Sequence, residues 1–396
     1  MREVVIVAGV RTPVGSFGKS LKAVAATEMG RQVLEALMKR TTLNKEEVGE
    51  VIFGHGYVHG GGLNSARISS QLAGFPRTVP GHIVIKACGS GLKAITSGAL
   101  AIAAGEEDVV IAGGVESMSN APYLVRNRWG SKFGNVQMED ALLADGLICS
   151  LGNEHMGVTA ERLAEQYGIS REEQDRFAFE SHRKAHAAWS AGKFGEEIVA
   201  LELKDRKGTR WFSQDEGVRA EVDLDALGRL PAVFQKGGTV TAGNACPMND
   251  GAAAVLLMSR EKAEEKGLRP LLKVKAFASA GVEPGVMGIG PVPATRKALQ
   301  KAGLTLDDIG LIELNEAFAA QALAVIKELD LDPDRVNVNG GAIALGHPVG
   351  ATGAKLTVTL MHEMLRSKVR YGLVTLCMAG GMGLSVIYEN LTGEAE

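Results

Sequence analysis

The sequence has few aromatic residues, and its charges nearly cancel. Phe, Trp and Tyr make up 5% of the 396 residues, and 43 Lys and Arg stand against 46 Asp and Glu, which leaves a net charge of −3. Nucleic-acid binding depends on a strong positive field and, for single strands, on aromatic stacking. We therefore expect no nucleic-acid partner. Because positive and negative charges nearly balance, we also expect no electrostatic binding to an anionic membrane.

Cysteine is scarce, and uninterrupted apolar runs are short. The four Cys lie far apart and none belongs to a Cys-x-x-Cys pair, so we expect neither a disulfide framework nor a structural zinc site. His182 and His186 have the spacing of a metal pair, but no third ligand accompanies them, and we expect a solvated helix face and no metal. The longest apolar runs, such as 252–258, fall well short of the ~20 residues that cross a membrane. The chain begins at once with a strand pattern, so we expect no signal segment and a reducing, cytoplasmic location.

Glycine, by contrast, is abundant: 50 residues, about twice the usual ~7% share. It occurs in clusters, which indicate tight turns and close approach of the backbone to a ligand. Between the clusters, short β-branched runs alternate with Ala-rich amphipathic stretches, a pattern typical of α/β proteins whose helices cover a sheet. The predicted strands include 4–7, 51–53, 82–85, 109–112, 255–258, 311–314 and 374–376, and the predicted helices include 29–40, 91–105 and 295–302.

An internal repeat is visible. LNKEEVGEVIFGH (43–55) matches LTLDDIGLIELNE (304–316) at an offset of 261 residues, and VIAGG (110–114) matches CMAGG (377–381) at an offset of 267. Repeated strand and helix patterns at a constant offset indicate two halves that share one topology.

The repeat predicts three parts. One half comprises 1–118 plus 249–270, and the other comprises 271–396. Residues 119–248 have no counterpart and hold all three Trp, so we expect an insertion with its own small core. Its long helix is opened by a capping box at Ser170. Long insertions on an α/β scaffold usually shape a substrate site.

The first Gly-rich turn, IKACGSGLKA, places Cys88 between an apolar strand and an Ala-rich helix. The unpaired N–H groups and the dipole at a helix N-terminus favour an anion. We therefore expect the pKa of this thiol to fall and its reactivity to rise. A small buried Cys is the competing interpretation, and the turn alone does not decide between them.

Three further strand ends carry reactive side chains. His347 lies between glycines in NGGAIALGHPVGATGA, a loop that can hold an imidazole rigidly. Cys377 ends a strand before AGGMG, whose backbone N–H groups can form an anion nest. Asn315 ends another strand, where it either caps the next helix or holds a water or carbonyl. Because strand ends of matching halves meet at one face, we expect these residues at one site.

Six segments resemble one family, the thiolases, which are acyl-CoA:acetyl-CoA C-acyltransferases. ACGSGLKA, GGVESMSNAPY, TAGNACPMNDGAAA, NEAFAA, NGGAIALGHPVGATGA and CMAGGMG are similar to its signatures and follow its order, and the resemblance runs from end to end. It implies the thiolase fold, an α/β fold of two βαβαβαββ halves in a five-layered α-β-α-β-α sandwich, with a loop domain inserted in the first half. This architecture agrees with the repeat and the insertion.

The resemblance also implies roles for the residues of the Gly-rich turns. Cys88 would be the nucleophile that is acylated, His347 would accept its proton, and Cys377 would act as acid and base toward the second substrate. Asn315 would hold a water that forms one oxyanion hole with the imidazole. The main-chain N–H groups of Cys88 and Ala379 would form the other, although Ala379 stands where the family usually has Gly.

The resemblance extends along the substrate path. The residues expected to contact CoA or the acyl group are His155, Met156, Arg219, Phe234, Cys246, Met287 and Phe318. Met156 and Met287 would narrow the acyl pocket, as in short-chain members. Cys246 replaces the family's Ser beside pantetheine and is a weaker hydrogen-bond donor. Arg219 would contact the adenine or a phosphate of CoA.

The implied activity is condensation of two acetyl-CoA to acetoacetyl-CoA and CoA, and the reverse thiolysis of 3-ketoacyl-CoA, through an acyl-cysteine and without a cofactor. A broader-chain 3-ketoacyl-CoA thiolase of fatty-acid β-oxidation is the alternative. A non-catalytic scaffold subunit is a weaker one, because no catalytic residue is lost. The segment 126–140, with Trp129 and Phe133, resembles the one through which short-chain members assemble, so we expect a homotetramer built as a dimer of dimers.

Overall fold

A computed structural model of the chain describes residues 2–205 and 208–393. Its strands, in chain order, are β1 (Val4–Arg11), β2 (Gly15–Ser16), β3 (Glu50–Gly54), β4 (Gly81–Val84), β5 (Val109–Ser117), β6 (Tyr123–Leu124), β7 (Glu139–Asp140), β8 (Ile148–Cys149), β9 (Glu154–His155), β10 (Leu201–Asp205), β11 (Gly208–Phe212), β12 (Asn249–Ser259), β13 (Leu272–Gly281), β14 (Leu311–Leu314), β15 (Tyr371–Met378) and β16 (Met382–Asn390).

The helices are α1 (Ala26–Thr41), α2 (Ser65–Leu72), α3 (Ser90–Ala104), α4 (Met156–Tyr167), α5 (Arg171–Ser190), α6 (Leu224–Gly228), α7 (Arg260–Glu265), α8 (Pro291–Ala302), α9 (Ala319–Leu329), α10 (Ala342–Leu345) and α11 (Thr352–Ser367). Short turns of 3₁₀ or π geometry occur at Lys45–Glu47, Met118–Asn120, Leu143–Leu147 and Pro284–Ile289. The capping box predicted at Ser170 opens α5, with the backbone N–H of Glu173 bound to the Ser170 side chain.

Two sets of strands repeat one arrangement. The first runs β1-β12-β5-β3-β4, and the second runs β13-β16-β15-β14. In each set the first three strands pair antiparallel, and the strand that follows them is parallel to its neighbour. A short ladder between β1 and β13 joins the sets. The two halves predicted from the repeat therefore share one topology.

The strand registers correct one part of the repeat. Val51 pairs with Ile111 in the first set, and Ile312 pairs with Leu373 at the equivalent place in the second. These pairs give offsets of 261 and 262 residues. The match of VIAGG with CMAGG at an offset of 267 is therefore wrong by five residues, because two Gly-rich segments at different heights on equivalent strands look alike.

The helices complete five layers. α3 and α11 contact each other between the two strand sets, while α1 and α2 pack outside the first set and α8 and α9 outside the second. Residues 352–364 of α11 are all buried, as a helix covered on all sides requires. This α-β-α-β-α arrangement confirms the predicted fold.

Residues 87–104 have the length and hydropathy of a membrane-spanning helix, which the short uninterrupted apolar runs did not indicate. The segment contains α3, the central helix of the sandwich. Leu92, Ile95 and Ile102 are fully buried against both strand sets. Its apolar character is explained by this position between two sheets.

Among the described residues of the insertion, no apolar cluster is formed by the insertion alone. Ala185, Ala188 and Phe194 pack against Ala344 and Leu345 of the second half, and similar shared clusters join α4 and α5 to α9. The expected separate core is therefore wrong: α4 and α5 pack on the second half, while Leu201, Leu203 and Phe212 join the core of the first half. The exact boundaries of 119–248 stay a prediction.

A buried ion cluster ties the insertion to the first half. Arg11 at the end of β1 donates to Glu197 at 2.6 Å and to Asp215 at 2.7 Å, and all three side chains are almost completely buried. Breaking a buried pair from one side costs about 3–5 kcal/mol, because the remaining charge is left without a partner.

Candidate active site

A cavity of about 1030 Å³ opens where strand ends of both halves meet the insertion. Nine of the residues predicted to form a site line it: Cys88, His155, Met156, Phe234, Cys246, Met287, Phe318, His347 and Ala379. The lining residues are scattered along the chain between Ser16 and Gly380, so the cavity forms only when the two halves and the insertion are folded together.

Cys88 is presented by a strained turn. Ala87, just before it, has a φ of +46°, a conformation that costs a non-Gly residue about 1 kcal/mol or more. The hydroxyl of Ser90 holds this turn, because it accepts from Lys86 N at 2.8 Å and donates to Ala87 O at 2.7 Å. Gly89 then caps α3. Cys88 therefore lies at the N-terminus of a helix, as predicted.

The expected fall in the pKa of Cys88 is wrong. Burial raises the pKa of this thiol to about 11, although the backbone N–H groups of Ala379 and of Cys88 itself favour the thiolate. Removing a charge from water outweighs the helix terminus here. The same two N–H groups are the predicted oxyanion donors, and they face the sulfur. Gly380 and Gly381, at φ of +83° and +80°, form the turn that aims the Ala379 N–H.

His347 is held in one orientation. Its Nδ1 lies 2.6 Å from Thr352 Oγ1, and that hydroxyl donates to Pro348 O at 2.9 Å. The hydroxyl proton is thus engaged, which assigns the imidazole proton to Nδ1 and leaves Nε2 as the acceptor. Asn249 Oδ1 accepts from the backbone N–H of His347 at 2.8 Å. Burial lowers the pKa of the imidazole to about 3, so it is a neutral base at physiological pH.

Cys377 lies beneath the cavity lining. It is fully buried near the end of β15, in one apolar cluster with Met287, Phe318 and Ala379. Burial raises the pKa of its thiol well above the ordinary value, and the nearby thiols of Cys88 and Cys246 add to this effect. Three thiols therefore lie close together at the site.

Asn315 follows β14 and is completely buried. Neither its Oδ1 nor its Nδ2 has a hydrogen-bond partner among the described residues, and the N-cap of the next helix is Phe318. The capping interpretation is therefore wrong. A buried amide with both polar atoms unpaired costs about 1–3 kcal/mol for each group unless a water or ligand pairs with it, which fits a residue that holds a water.

An aromatic and sulfur-rich wall bounds the other side of the cavity. His155 stacks on Phe234 at 4.6 Å between centroids, and Phe234 meets Phe318 edge to face at 5.9 Å. The ring of Phe234 packs where Gly157 has no Cβ. His155 also caps α4, since its Nδ1 accepts from Gly157 N at 3.0 Å. Met156 and Met287 are buried beside these rings.

Arg219 is apart from this group. Its side chain is exposed, outside the cavity lining, and its backbone N–H lies 3.4 Å from Nδ1 of His182. Its contact with CoA stays a prediction.

The pair His182 and His186 was expected on a solvated helix face. His182 is buried and only His186 is exposed, so that expectation is correct for His186 alone. Among residues 2–205 and 208–393, no group of three His, Cys, Asp or Glu is arranged to hold a metal ion.

Sequence reasoning missed Tyr57 and Glu116. Tyr57 lines the cavity and donates from its hydroxyl to Leu142 O. Glu116 lies in GGVESMS, near the end of an apolar strand. A charged residue at such a place could have indicated a functional role from the sequence alone. Burial raises the pKa of the Glu116 carboxyl to about 7, against backbone N–H groups that favour the carboxylate.

Comparison with known proteins agrees with this geometry. Residues 4–261 match the family model of the thiolase N-terminal domain, and residues 268–390 match that of the thiolase C-terminal domain. The chain belongs to the thiolase family. The predicted family and fold are thereby confirmed.

Named relatives cover nearly the whole of this thiolase. An acetyl-CoA acetyltransferase of Chromobacterium violaceum is 51% identical over 98% of this chain and 99% of its own, and one of Escherichia coli is 50% identical over 99% and 100%. The crystal structure of the Bacillus anthracis acetyl-CoA acetyltransferase superposes with a TM-score of 0.97 at 46% identity. The crystal structure of human mitochondrial 3-ketoacyl-CoA thiolase superposes with a TM-score of 0.96 at 41% identity. Each of the two superpositions covers 99% of this chain and 99% of the other chain.

Proposed function

We propose that this thiolase condenses two acetyl-CoA to acetoacetyl-CoA and CoA, and catalyses the reverse thiolysis, through an acyl group on Cys88. One observation carries the proposal: a thiol, a neutral imidazole with a free acceptor nitrogen and two backbone N–H donors surround one cavity. Relatives at about half identity over the full length are acetyl-CoA acetyltransferases, which supports the same activity here.

In the first half-reaction, Cys88 attacks the thioester carbonyl of acetyl-CoA. His347 Nε2 accepts the thiol proton and returns it to the departing CoA thiolate, so that the proton count balances. The thiol is neutral at rest, and the base must therefore act during the attack. The N–H groups of Cys88 and Ala379 stabilise the oxyanion, a contribution of about 3 kcal/mol for each donor.

In the second half-reaction, Cys377 first gives its thiol proton to the His347 imidazole, because its raised pKa keeps it protonated at rest, and its thiolate then takes an α-proton from the second acetyl-CoA. The resulting enolate attacks the acetyl group on Cys88, which breaks the carbon–sulfur bond and forms the carbon–carbon bond. The enolate oxygen is stabilised by a water on Asn315 together with the His347 imidazole. The unpaired amide of Asn315 supports this role. The Cys88 thiolate then recovers a proton from the His347 imidazolium, Cys377 keeps the α-proton as its thiol, and the cycle closes without a cofactor.

We assign a short-chain preference to Met156 and Met287. Both side chains are buried at the cavity wall, in one apolar cluster with Phe234 and Phe318. They fill the space that a longer acyl chain would need. The broader-chain alternative is not favoured, because the relatives at about 50% identity named above are acetyltransferases, whereas the 3-ketoacyl-CoA thiolase structure is 41% identical.

The remaining parts of the proposal concern CoA, assembly and location. The pantetheine arm would pass between Phe234 and Cys246, with Arg219 at the nucleotide end. The segment 126–140 supports a homotetramer, since Trp129 and Phe133 are 93% and 89% exposed, and exposed aromatic patches mark interfaces. A reducing cytoplasm suits a site that holds three close thiols.

Labelling tests the proposal. Incubation with radiolabelled acetyl-CoA should place one acetyl group on the peptide that contains Cys88, and added CoA should remove it. Cys88→Ala should acquire no label, whereas Cys149→Ala, which removes another buried thiol, should still acquire it. Label on any other residue would contradict the mechanism. Thiolysis of 3-ketoacyl-CoA esters of four to sixteen carbons would then measure the chain-length preference.

A further inference from the structure

Glu116 connects the loop that carries His347 to a loop of the first half that lines the cavity. It ends the strand β5 of the first half, and its side chain is completely buried. Cys88 belongs to the first half and His347 to the second, so their separation depends on how the halves meet. We propose that Glu116 is the positioning residue that fixes the loop of His347 against Cys88. This inference rests on the proposed acyl transfer to Cys88.

The contacts of Glu116 converge from both halves. Oε2 accepts from the backbone N–H of Gly350 at 2.8 Å and from that of Gly56 at 3.0 Å, while Oε1 accepts from Tyr57 N at 3.2 Å. Gly350 belongs to the His347 loop, and the other two donors belong to the first half. In the ionised form of Glu116 these bonds are charge-assisted, and such bonds are about twice as strong as neutral ones.

The two halves touch here through bare backbone. A Cβ on Gly54 would lie 2.7 Å from Gly350 O, and one on Gly91 would lie 2.8 Å from the same oxygen. A Cβ on Gly350 would lie 2.7 Å from Gly56 N. Glycines that pack this closely set how near the two backbones can approach, but they have no side chains that could bond one half to the other. The hydrogen bonds of Glu116 to Gly350 and Gly56 join the two halves beside this contact.

The glycines of this contact lie close in sequence to Cys88 and His347. Cys88 precedes Gly91 by three residues, and His347 precedes Gly350 by three residues. A shift of the contact therefore moves both reactive groups relative to each other. Misplacement by about 1 Å can slow a reaction about 100-fold. Glu116 is buried behind Gly56 and Tyr57, which line the cavity, so it acts through the loops without touching substrate.

The test replaces the carboxylate by an amide. In Glu116→Gln the negative charge is removed and an NH₂ group replaces one oxygen. This group faces the N–H of Tyr57 in one orientation of the amide and those of Gly56 and Gly350 in the other, so at least one bond is lost. We expect the single-turnover rate of Cys88 acetylation to fall about 100-fold, with the Kd for acetyl-CoA changed less than about threefold. Glu161→Gln is the matched control, since Glu161 is also buried and accepts from the N–H groups of Thr239 and Val240 within the insertion. It should keep the acetylation rate within about threefold.

A double-mutant cycle distinguishes positioning from general weakening of the fold. If Glu116 acts through His347, the variant Glu116→Gln should have no further effect on acetylation once His347→Ala is present. An equal loss in both backgrounds would overturn the proposal, as would an unchanged rate in Glu116→Gln. Glu116→Asp withdraws the carboxylate by one methylene and gives the same comparison if the amide variant does not fold. Failure of the unmodified protein to accept acetyl groups would contradict the proposed function itself.

Discussion

The resting thiol of Cys88 should be un-ionised, and its alkylation should show this. A pKa of about 11 leaves about one thiol in 1,000 ionised at pH 8, whereas an ordinary Cys with a pKa of ~8.5 is about one-quarter ionised. Because the thiolate is the nucleophile, the rate of alkylation of Cys88 should rise about tenfold for each pH unit from pH 7 to pH 10.

Iodoacetamide provides the measurement. The enzyme would be treated at a series of pH values, and the alkylated peptide containing Cys88 would be quantified by mass spectrometry. A small-molecule thiol in the same solution is the control, since its rate should level off above pH ~9.5. Prior acetylation with acetyl-CoA should protect Cys88 at every pH. The other three cysteines are followed in the same digests.

A plateau below about pH 8.5 would refute this reasoning. It would mean that the N–H groups of Ala379 and Cys88 outweigh burial, and that the thiolate exists before substrate arrives. The role of His347 would then change from a base during the attack to a counter-charge. The first expectation, drawn from the helix terminus alone, would be restored.

Three other predictions test separate parts of the site. Cys377→Ala should still accept an acetyl group on Cys88 but should lose condensation by about 10²–10⁴-fold, and simultaneous loss of acetylation in a quench assay would show the assignment of Cys377 to be wrong. Met156→Ala should raise the ratio of ten-carbon to four-carbon thiolysis, because each rejected methylene is worth about 1–3 kcal/mol; an unchanged ratio would remove Met156 as a determinant. Trp129→Ala combined with Phe133→Ala should reduce the native mass by sedimentation from four to two times the chain mass of 41.7 kDa, whereas a dimer before mutation would contradict the tetramer.

Much of the fold follows from local patterns. Each predicted strand lies in an observed strand, apart from Ile85 one residue beyond β4, and the three named helices are present. The alternation of β-branched and Ala-rich stretches is a local pattern, and here it agrees with the elements that pack in the tertiary structure. The strands β13 and β16 were not among the predicted ones. Lys273 and Lys275 interrupt the apolar run of β13, because the strand is only half-buried and they pair with carboxylates of Glu3 and Glu389.

The site residues were predictable, but their electrostatics were not. Nine of the twelve predicted residues line one cavity. Cys88, His347 and Ala379 belong to Gly-rich turns, which have few alternative positions in an α/β fold, whereas the other six were implied by the family resemblance. The pKa of Cys88 depends instead on how much protein covers the turn, which no local pattern reports. The tautomer of His347 likewise depends on Thr352, whose partner Pro348 is visible only in three dimensions.

The glycine clusters illustrate the same limit. The sequence interpretation assigned them to tight turns and to close approach of the backbone to a ligand. At Gly54, Gly91, Gly114 and Gly350 the group approached is the backbone of the other half or of a neighbouring element. Such a contact fixes the distance between two loops more tightly than side-chain packing does, since no rotamer can adjust it. A reaction that needs a thiol from one half and an imidazole from the other gains from this rigidity, and the buried carboxylate beside the contact is therefore part of the catalytic geometry rather than of the core alone.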